Sequence, residues 1–101
     1  MILIDCVTLW LSNLLMKNWG AEKIFNYIDG ILKKIKGLSA DVIFITNEVG
    51  SGIVPDNKLA RDFRDIAGEV NQKIAASADT VVFMVSGIPV CIKGNIDVTK
   101  Y

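Results

Sequence analysis

The 101-residue sequence contains no histidine. This absence removes the commonest general base, the commonest metal ligand and every mechanism that passes through a phosphorylated or nucleotidylated histidine. The two cysteines, Cys6 and Cys91, lie far apart with no CxxC pair, which argues against a disulfide framework or a zinc site. Because both follow apolar, strand-like patterns, we expect a raised thiol pKa and no redox role.

Excess charge and long apolar runs are also missing. Lys plus Arg and Asp plus Glu are 11 each, so the formal net charge is zero, and no long basic run occurs. This balance argues against nucleic acid or an anionic membrane as the main partner. No apolar stretch approaches the roughly 18–20 residues of a membrane span, and the N-terminus has no signal-peptide pattern. We therefore expect a soluble, cytoplasmic chain without a membrane span.

The amino-acid composition is typical of a folded chain. Hydrophobic residues make up 51% of the sequence, which excludes a disordered protein, and the length suits one α/β domain over 1–101. The mean hydropathy of +0.41 is high for so small a domain, which must cover a large surface with polar groups. We expect the chain to bury apolar surface against a partner or to be part of a larger fold, with the missing part before Met1.

Apolar patterning predicts the order strand, two helices, strand, loop, helix, strand. Continuous apolar strands joined by crossover helices favour a parallel sheet with helices on both faces. We expect Thr8 to cap the first helix and the chain after residue 90 to form a weak strand or coil with a turn at 93–95. The expected spans are strands at 1–7, 41–46 and 80–85, and helices at 8–17, 21–36 and 57–78.

In open α/β sheets, ligands bind beyond the carboxyl ends of the strands. Three groups of polar residues are expected there: Asp5 with Cys6 and Thr8; Thr46 with Asn47 and Glu48; Ser86 with Gly87. Asp5 directly follows a hydrophobic strand, the pattern of a carboxylate associated with Mg²⁺. A helix cap or a turn residue is the alternative interpretation of Asp5.

Glu48 lies between a buried-type strand and a glycine-rich segment. It either points into a cleft or forms a structural ion pair with Arg61 or Arg64. The glycine pair Gly50 and Gly52 is interpreted as a turn, because no GxxxxGK[ST] phosphate loop occurs anywhere in the chain.

Two further segments have both a structural and a functional interpretation. Arg61 and Asp65 are four residues apart, which favours a solvated or intersubunit ion-pair face over phosphate contact by Arg64. The apolar cluster from Leu9 to Met16 is typical of a core, and a subunit contact is the alternative.

Four segments together resemble one enzyme family. Segment 5–15, DCVTLWLSNLL, is similar to a strand and helix in the second half of the adenosylcobinamide kinase / adenosylcobinamide-phosphate guanylyltransferase family. Segment 46–55, TNEVGSGIVP, resembles the signature loop of that family. The similarity continues in order through 61–68, RDFRDIAG, then 71–72, NQ, and 85–89, VSGIP.

The resemblance implies a P-loop NTPase-like (RecA-like) α/β fold and a bifunctional enzyme of cobalamin biosynthesis. Such enzymes phosphorylate adenosylcobinamide with GTP or ATP and Mg²⁺, transfer GMP from GTP through a guanylylated histidine, and assemble as homotrimers. The expected nucleotide-binding residues are Asp5, Asn47 and Glu48, with Asp5 also the expected metal ligand.

The sequence departs from that family in two respects. The phosphate loop and the guanylylated histidine of the family lie in its N-terminal half, and this chain has neither. We therefore expect it to be the C-terminal part of such an enzyme, from a truncated or split gene. On its own it supplies no catalytic residue, so we expect low or no activity. The alternative is a non-catalytic nucleotide-binding or oligomer-assembly module of the same fold.

Overall fold

The computed structural model describes residues 1–48 and 57–95. In chain order the elements are β1 (Ile2–Asp5), α1 (Val7–Met16), α2 (Ala21–Lys36), β2 (Val42–Ile45), α3 (Lys58–Ser77), β3 (Val81–Val85) and β4 (Ile88–Lys93). The expected order of strands and helices is confirmed up to β3. None of the helices in the described part of the chain is long and apolar enough to cross a membrane.

The three helices enclose the core through their apolar stripes. In α2 the buried residues are Ile24, Ile28 and Leu32, spaced four apart so that they share one helical face. Helix α3 contributes the buried residues Ile66, Ala67, Val70 and Ile74, and α1 contributes Val7, Leu11 and Leu14. Leu11 and Ile24 are fully buried, so the centre of the cluster is shielded from solvent. The core interpretation of the Leu9–Met16 segment holds for Leu11 and Leu14, whereas Leu9 is 62% exposed.

The ends of two helices differ in how well the sequence predicted them. Asn57 caps α3, since its Oδ1 accepts from the amides of Leu59 at 2.7 Å and Ala60 at 3.3 Å. The prediction that Thr8 caps α1 is wrong. The N-cap is Cys6, and Thr8 is a buried residue in the first turn whose hydroxyl bonds elsewhere.

Strands β1 and β2 pair in parallel, with Ile4 beside Phe44 and Asp5 beside Ile45. Ile4 and Phe44 pack against the helical core. Leu3, on the opposite side of β1, is 58% exposed. Continuous apolar patterning predicted cover on both faces, but the described helices cover only one face of β1.

The prediction that the third strand joins the parallel sheet is wrong. Strand β3 pairs antiparallel with β4 in a separate two-stranded sheet. Ser86 (φ 52°) and Gly87 (φ 78°) connect the strands, and a two-residue turn with positive φ at both positions is typical of hairpins. The Ser-Gly pair between two apolar runs is the signal that would have predicted this hairpin.

Candidate functional site

The parallel pairing of β1 and β2 brings their carboxyl ends together. Asp5 lies beside Ile45 at the last matched position, so the residues that follow each strand meet at one edge of the sheet. Asp5, Asn47 and Glu48 are all exposed there. The sequence predicted this grouping, and we refer to it as the β1–β2 edge.

Asn47 and Thr8 connect the two halves of this edge. The side-chain Nδ2 of Asn47 donates to Oγ1 of Thr8 at 3.3 Å. The Thr8 hydroxyl is also 2.8 Å from the Cys6 Sγ, and Thr8 is only 8% exposed. A buried hydroxyl needs hydrogen-bond partners, and these two contacts supply them. Thr8 therefore fixes the start of α1 against the segment that follows β2.

Asn71 on α3 is a member of this arrangement that we did not predict as a site residue. Its Oδ1 accepts from Oγ1 of Thr46 at 2.7 Å, and its Nδ2 donates to the backbone oxygen of Asn47 at 2.9 Å. The sequence carries two signals for it: asparagine is a poor helix former and stands here inside a helix, and 71–72 is one of the segments that resemble the family. Hydrogen bonds from α1 and α3 thus hold the segment that follows β2 at this edge.

The Cys6 thiol differs from our expectation. Its pKa is lowered, chiefly by the hydrogen bond with the Thr8 hydroxyl and then by the backbone amide of Leu9, against the opposing effects of burial and the Asp5 charge. Donors at the start of a helix favour the thiolate. The expectation of a raised pKa is therefore wrong for Cys6. Cys91 is also not buried, since it lies exposed on β4.

Ser86 and Gly87, the third group expected at this edge, do not belong to it. They form the turn of the β3–β4 hairpin, because β3 does not pair with β1 or β2. The predicted glycine turn at Gly50 and Gly52 lies outside the described residues. Arg61 and Asp65 are exposed on α3, and Arg64 is half-buried.

The donor set of the edge limits the kind of metal site it can form. Within residues 1–48 and 57–95, no three His, Cys, Asp or Glu side chains are grouped to hold a metal ion. Mg²⁺ usually takes one or two carboxylates and completes its shell with water and phosphate oxygens. The exposed carboxylate of Asp5 fits that mode of binding, but the described edge offers no cage made of protein ligands alone.

Comparison with known proteins identifies the family. The model of the cobinamide kinase / cobinamide phosphate guanyltransferase family matches residues 1–92. The bifunctional adenosylcobalamin biosynthesis protein CobU of Salmonella typhimurium is 44% identical over 104 residues, covering 91% of this chain and 58% of that protein.

Two further relatives agree. CobU of Escherichia coli K12 is 43% identical over 105 residues, covering 91% of this chain and 58% of the relative. CobP of Pseudomonas aeruginosa is 37% identical over 94 residues, covering 93% and 54%. The chain thus spans somewhat more than half the length of these curated relatives, and it matches their C-terminal part. By this match, the chain belongs to the cobinamide kinase / cobinamide phosphate guanyltransferase family.

Proposed function

We propose that this chain acts in cobalamin biosynthesis, as the portion of a bifunctional cobinamide kinase and guanylyltransferase that supplies the β1–β2 edge to a guanine-nucleotide site. The observation that carries the proposal is the family match over residues 1–92, which includes every residue of this edge. The carboxyl ends of parallel strands are where α/β proteins bind nucleotides, and Asp5 and Asn47 lie there.

The chemistry of the edge supports recognition better than catalysis. The carboxylates of Asp5 and Glu48 accept hydrogen bonds, as guanine N–H groups or ribose hydroxyls would require. Mg²⁺, when bound with a nucleotide, neutralises phosphate charge, and the exposed carboxylate of Asp5 is the type of ligand that would hold it. The sequence contains neither a phosphate loop nor a histidine. We therefore assign no catalytic residue and expect no turnover by this chain alone.

An activity assay of the purified chain tests this assignment. Incubation with GTP labelled in the α-phosphate should give no covalent label, and incubation with adenosylcobinamide and GTP or ATP should give no phosphorylated product. Efficient labelling or turnover by the chain alone would contradict the proposal.

A second candidate, a non-catalytic assembly module, is favoured by one observation. Both strands of the β3–β4 hairpin expose large apolar side chains, among them Met84 at 58%, Ile88 at 65% and Ile92 at 65%. Exposed apolar surface of this kind is typical of regions that are covered by another polypeptide. The trimer expected from the resemblance would provide such cover.

Calorimetry with Mg²⁺-GTP, combined with sedimentation, separates the two candidates. Binding that is lost in Asp5→Ala supports the nucleotide-site assignment. A chain that forms oligomers and gives no heat with Mg²⁺-GTP supports the assembly module.

A further inference from the structure

We propose that Asn71 is a positioning residue, which holds Asn47 and Glu48 at the β1–β2 edge from the neighbouring helix α3. Its importance for ligand binding rests on the proposed function, whereas its effect on the shape of the edge does not. The proposal starts from two hydrogen bonds that one side chain makes to consecutive residues, Thr46 and Asn47.

The two bonds use the two different ends of the Asn71 amide. Its oxygen accepts from the Thr46 hydroxyl, and its nitrogen donates to the Asn47 backbone oxygen. A carbonyl oxygen can only accept, so the orientation of the amide is fixed by its partners. An aspartate of the same size would keep the first bond and lose the second. A side chain without polar atoms would lose both.

Asn47 is also held by α1. Its side chain donates to Thr8, which is buried in the first turn of that helix. The backbone of Asn47 is therefore tied to α3 and its side chain to α1. These contacts span 24 residues to Asn71 and 39 residues to Thr8, so they couple parts of the chain that no local turn connects.

The sheet itself does not fix this segment. The last matched position of β1 and β2 is Asp5 beside Ile45, so Thr46 and Asn47 lie beyond the described ladder. Beyond a ladder, the direction of the backbone depends on side-chain contacts such as those of Asn71 and Thr8. Because Glu48 follows Asn47 directly, the same contacts position the backbone from which Glu48 extends.

The position of Asn71 within α3 also supports a positioning role. Asparagine is disfavoured inside helices because its side chain competes for backbone hydrogen bonds. Asn71 stands next to the fully buried Val70, well away from both ends of a helix that runs from Lys58 to Ser77. A capping role is therefore excluded, and the long-range bonds are the physical reason for this residue.

Asn71→Asp in the full 101-residue chain tests the proposal, with Asn57→Ala as the matched control. Both substitutions remove a hydrogen bond of an asparagine on or next to α3, but Asn57 caps the helix at Leu59 and Ala60 and makes no hydrogen bond with Asn47 in the described part of the chain. Gln72→Ala, at the exposed neighbour of Asn71, serves as a second control. Asn71→Ala provides a further variant in case the new carboxylate prevents folding.

The first measurement needs no ligand. In nitrogen–proton correlation spectra, Asn71→Asp and Asn71→Ala should shift the backbone amides of Asn47 and Glu48 and the side-chain amide of Asn47. Asn57→Ala and Gln72→Ala should leave those resonances in place. Spectra in which the Asn71 and Asn57 variants affect Asn47 and Glu48 equally would overturn the proposal.

The second measurement is the dissociation constant for Mg²⁺-GTP, taken well below the thermal midpoint of every variant. There a loss of global stability does not change the affinity of the folded chain. We expect about tenfold weaker binding for Asn71→Ala, which adds no charge near the nucleotide phosphates, and unchanged binding for Asn57→Ala. Equal affinities in the two variants would overturn the positioning role.

The two failures are distinguishable. A wild-type chain that does not bind Mg²⁺-GTP removes the proposed function for this chain alone. The spectra of the unliganded variants then still decide whether Asn71 positions Asn47 and Glu48.

Discussion

Replacing Thr8 with valine removes one hydroxyl from the β1–β2 edge while keeping the shape of the side chain. The Thr8 hydroxyl is 2.8 Å from the Cys6 sulfur and accepts from Asn47 at 3.3 Å, and the residue is 8% exposed. Valine and threonine have similar helix propensities, so α1 itself should be little affected. The change therefore isolates the contribution of the two hydrogen bonds.

The expected loss of stability is modest. A neutral hydrogen bond contributes about 0.5–1.5 kcal/mol, and the exposed Asn47 amide regains a partner in water when Thr8 is lost. We therefore expect Thr8→Val to lower the free energy of unfolding by about 1 kcal/mol, near the value for one bond. In a chain of this size that corresponds to a decrease of about 4–8 °C in the thermal midpoint.

Stability alone does not identify the cause, so thiol reactivity is the second readout. The hydroxyl of Thr8 is the main cause of the lowered Cys6 pKa. Thr8→Val should raise that pKa and slow alkylation of Cys6 at neutral pH, because the thiolate is the reactive form. Thr8→Ser keeps the hydroxyl and loses a buried methyl group, so it should cost about 1 kcal/mol yet leave the alkylation rate unchanged.

Mass spectrometry after timed alkylation resolves Cys6 from Cys91, which serves as the internal reference on β4. If Cys6 in Thr8→Val reacted as fast as in the wild type, the contact between Thr8 and Cys6 would not control the thiol. If Thr8→Val were more stable than the wild type, the hydrogen bond between Thr8 in α1 and Asn47 would not stabilise the fold.

Three further outcomes follow from the structure. Asn57→Ala removes the α3 cap and should lower the free energy of unfolding, measured by urea titration, by about 1 kcal/mol. Asn57→Asp keeps a side-chain acceptor and should lose little stability. Equal losses in the two variants would contradict the capping geometry. Gly94→Ala places a methyl group against the carbonyl oxygen of Asp79 at a φ of 73°, so calorimetric melting should show destabilisation greater than for Gly68→Ala, where no atom is close. The pKa of Cys6 is lower in the folded chain than in the unfolded chain. The stability of the wild type relative to Cys6→Ser should therefore rise as the pH increases from the lowered pKa to the ordinary thiol pKa, and this gain should be absent at lower pH. A pH-independent difference in stability between the two chains would refute this linkage.

The sequence was sufficient for the elements up to β3, because their patterns are local, whereas β4 (Ile88–Lys93) was expected only as a weak strand or coil that begins later. The spacing of Ile24, Ile28 and Leu32 predicts α2, and its observed bounds, Ala21–Lys36, are those expected. The pairing of β3 was missed because its apolar run alone does not distinguish a buried parallel strand from a hairpin strand, and the Ser86-Gly87 turn signal was not used. In addition, Lys93 secures the hairpin by donating to the backbone oxygens of Ala75 and Ala76 at the end of α3, a contact no local pattern predicts.

The candidate site was only partly predictable for a similar reason. Asp5 and Asn47 stand at strand ends, where parallel topology brings side chains together, so sequence order sufficed to group them. The role of Asn71 depends on its hydrogen bond to the segment after β2, which is a tertiary contact over 24 residues. The Cys6 pKa likewise depends on Thr8 turning inward instead of capping the helix.

Titration of the isotopically labelled chain with Mg²⁺-GTP, followed by nitrogen–proton correlation spectra, tests the central claim most directly. The account predicts concentration-dependent shifts concentrated at Asp5, Asn47 and Glu48, and their disappearance in Asp5→Asn. Shifts confined to other surfaces, such as the groove between α2 and α3 lined by Lys33, Lys36 and Lys73, would contradict the assignment of the nucleotide site to the β1–β2 edge.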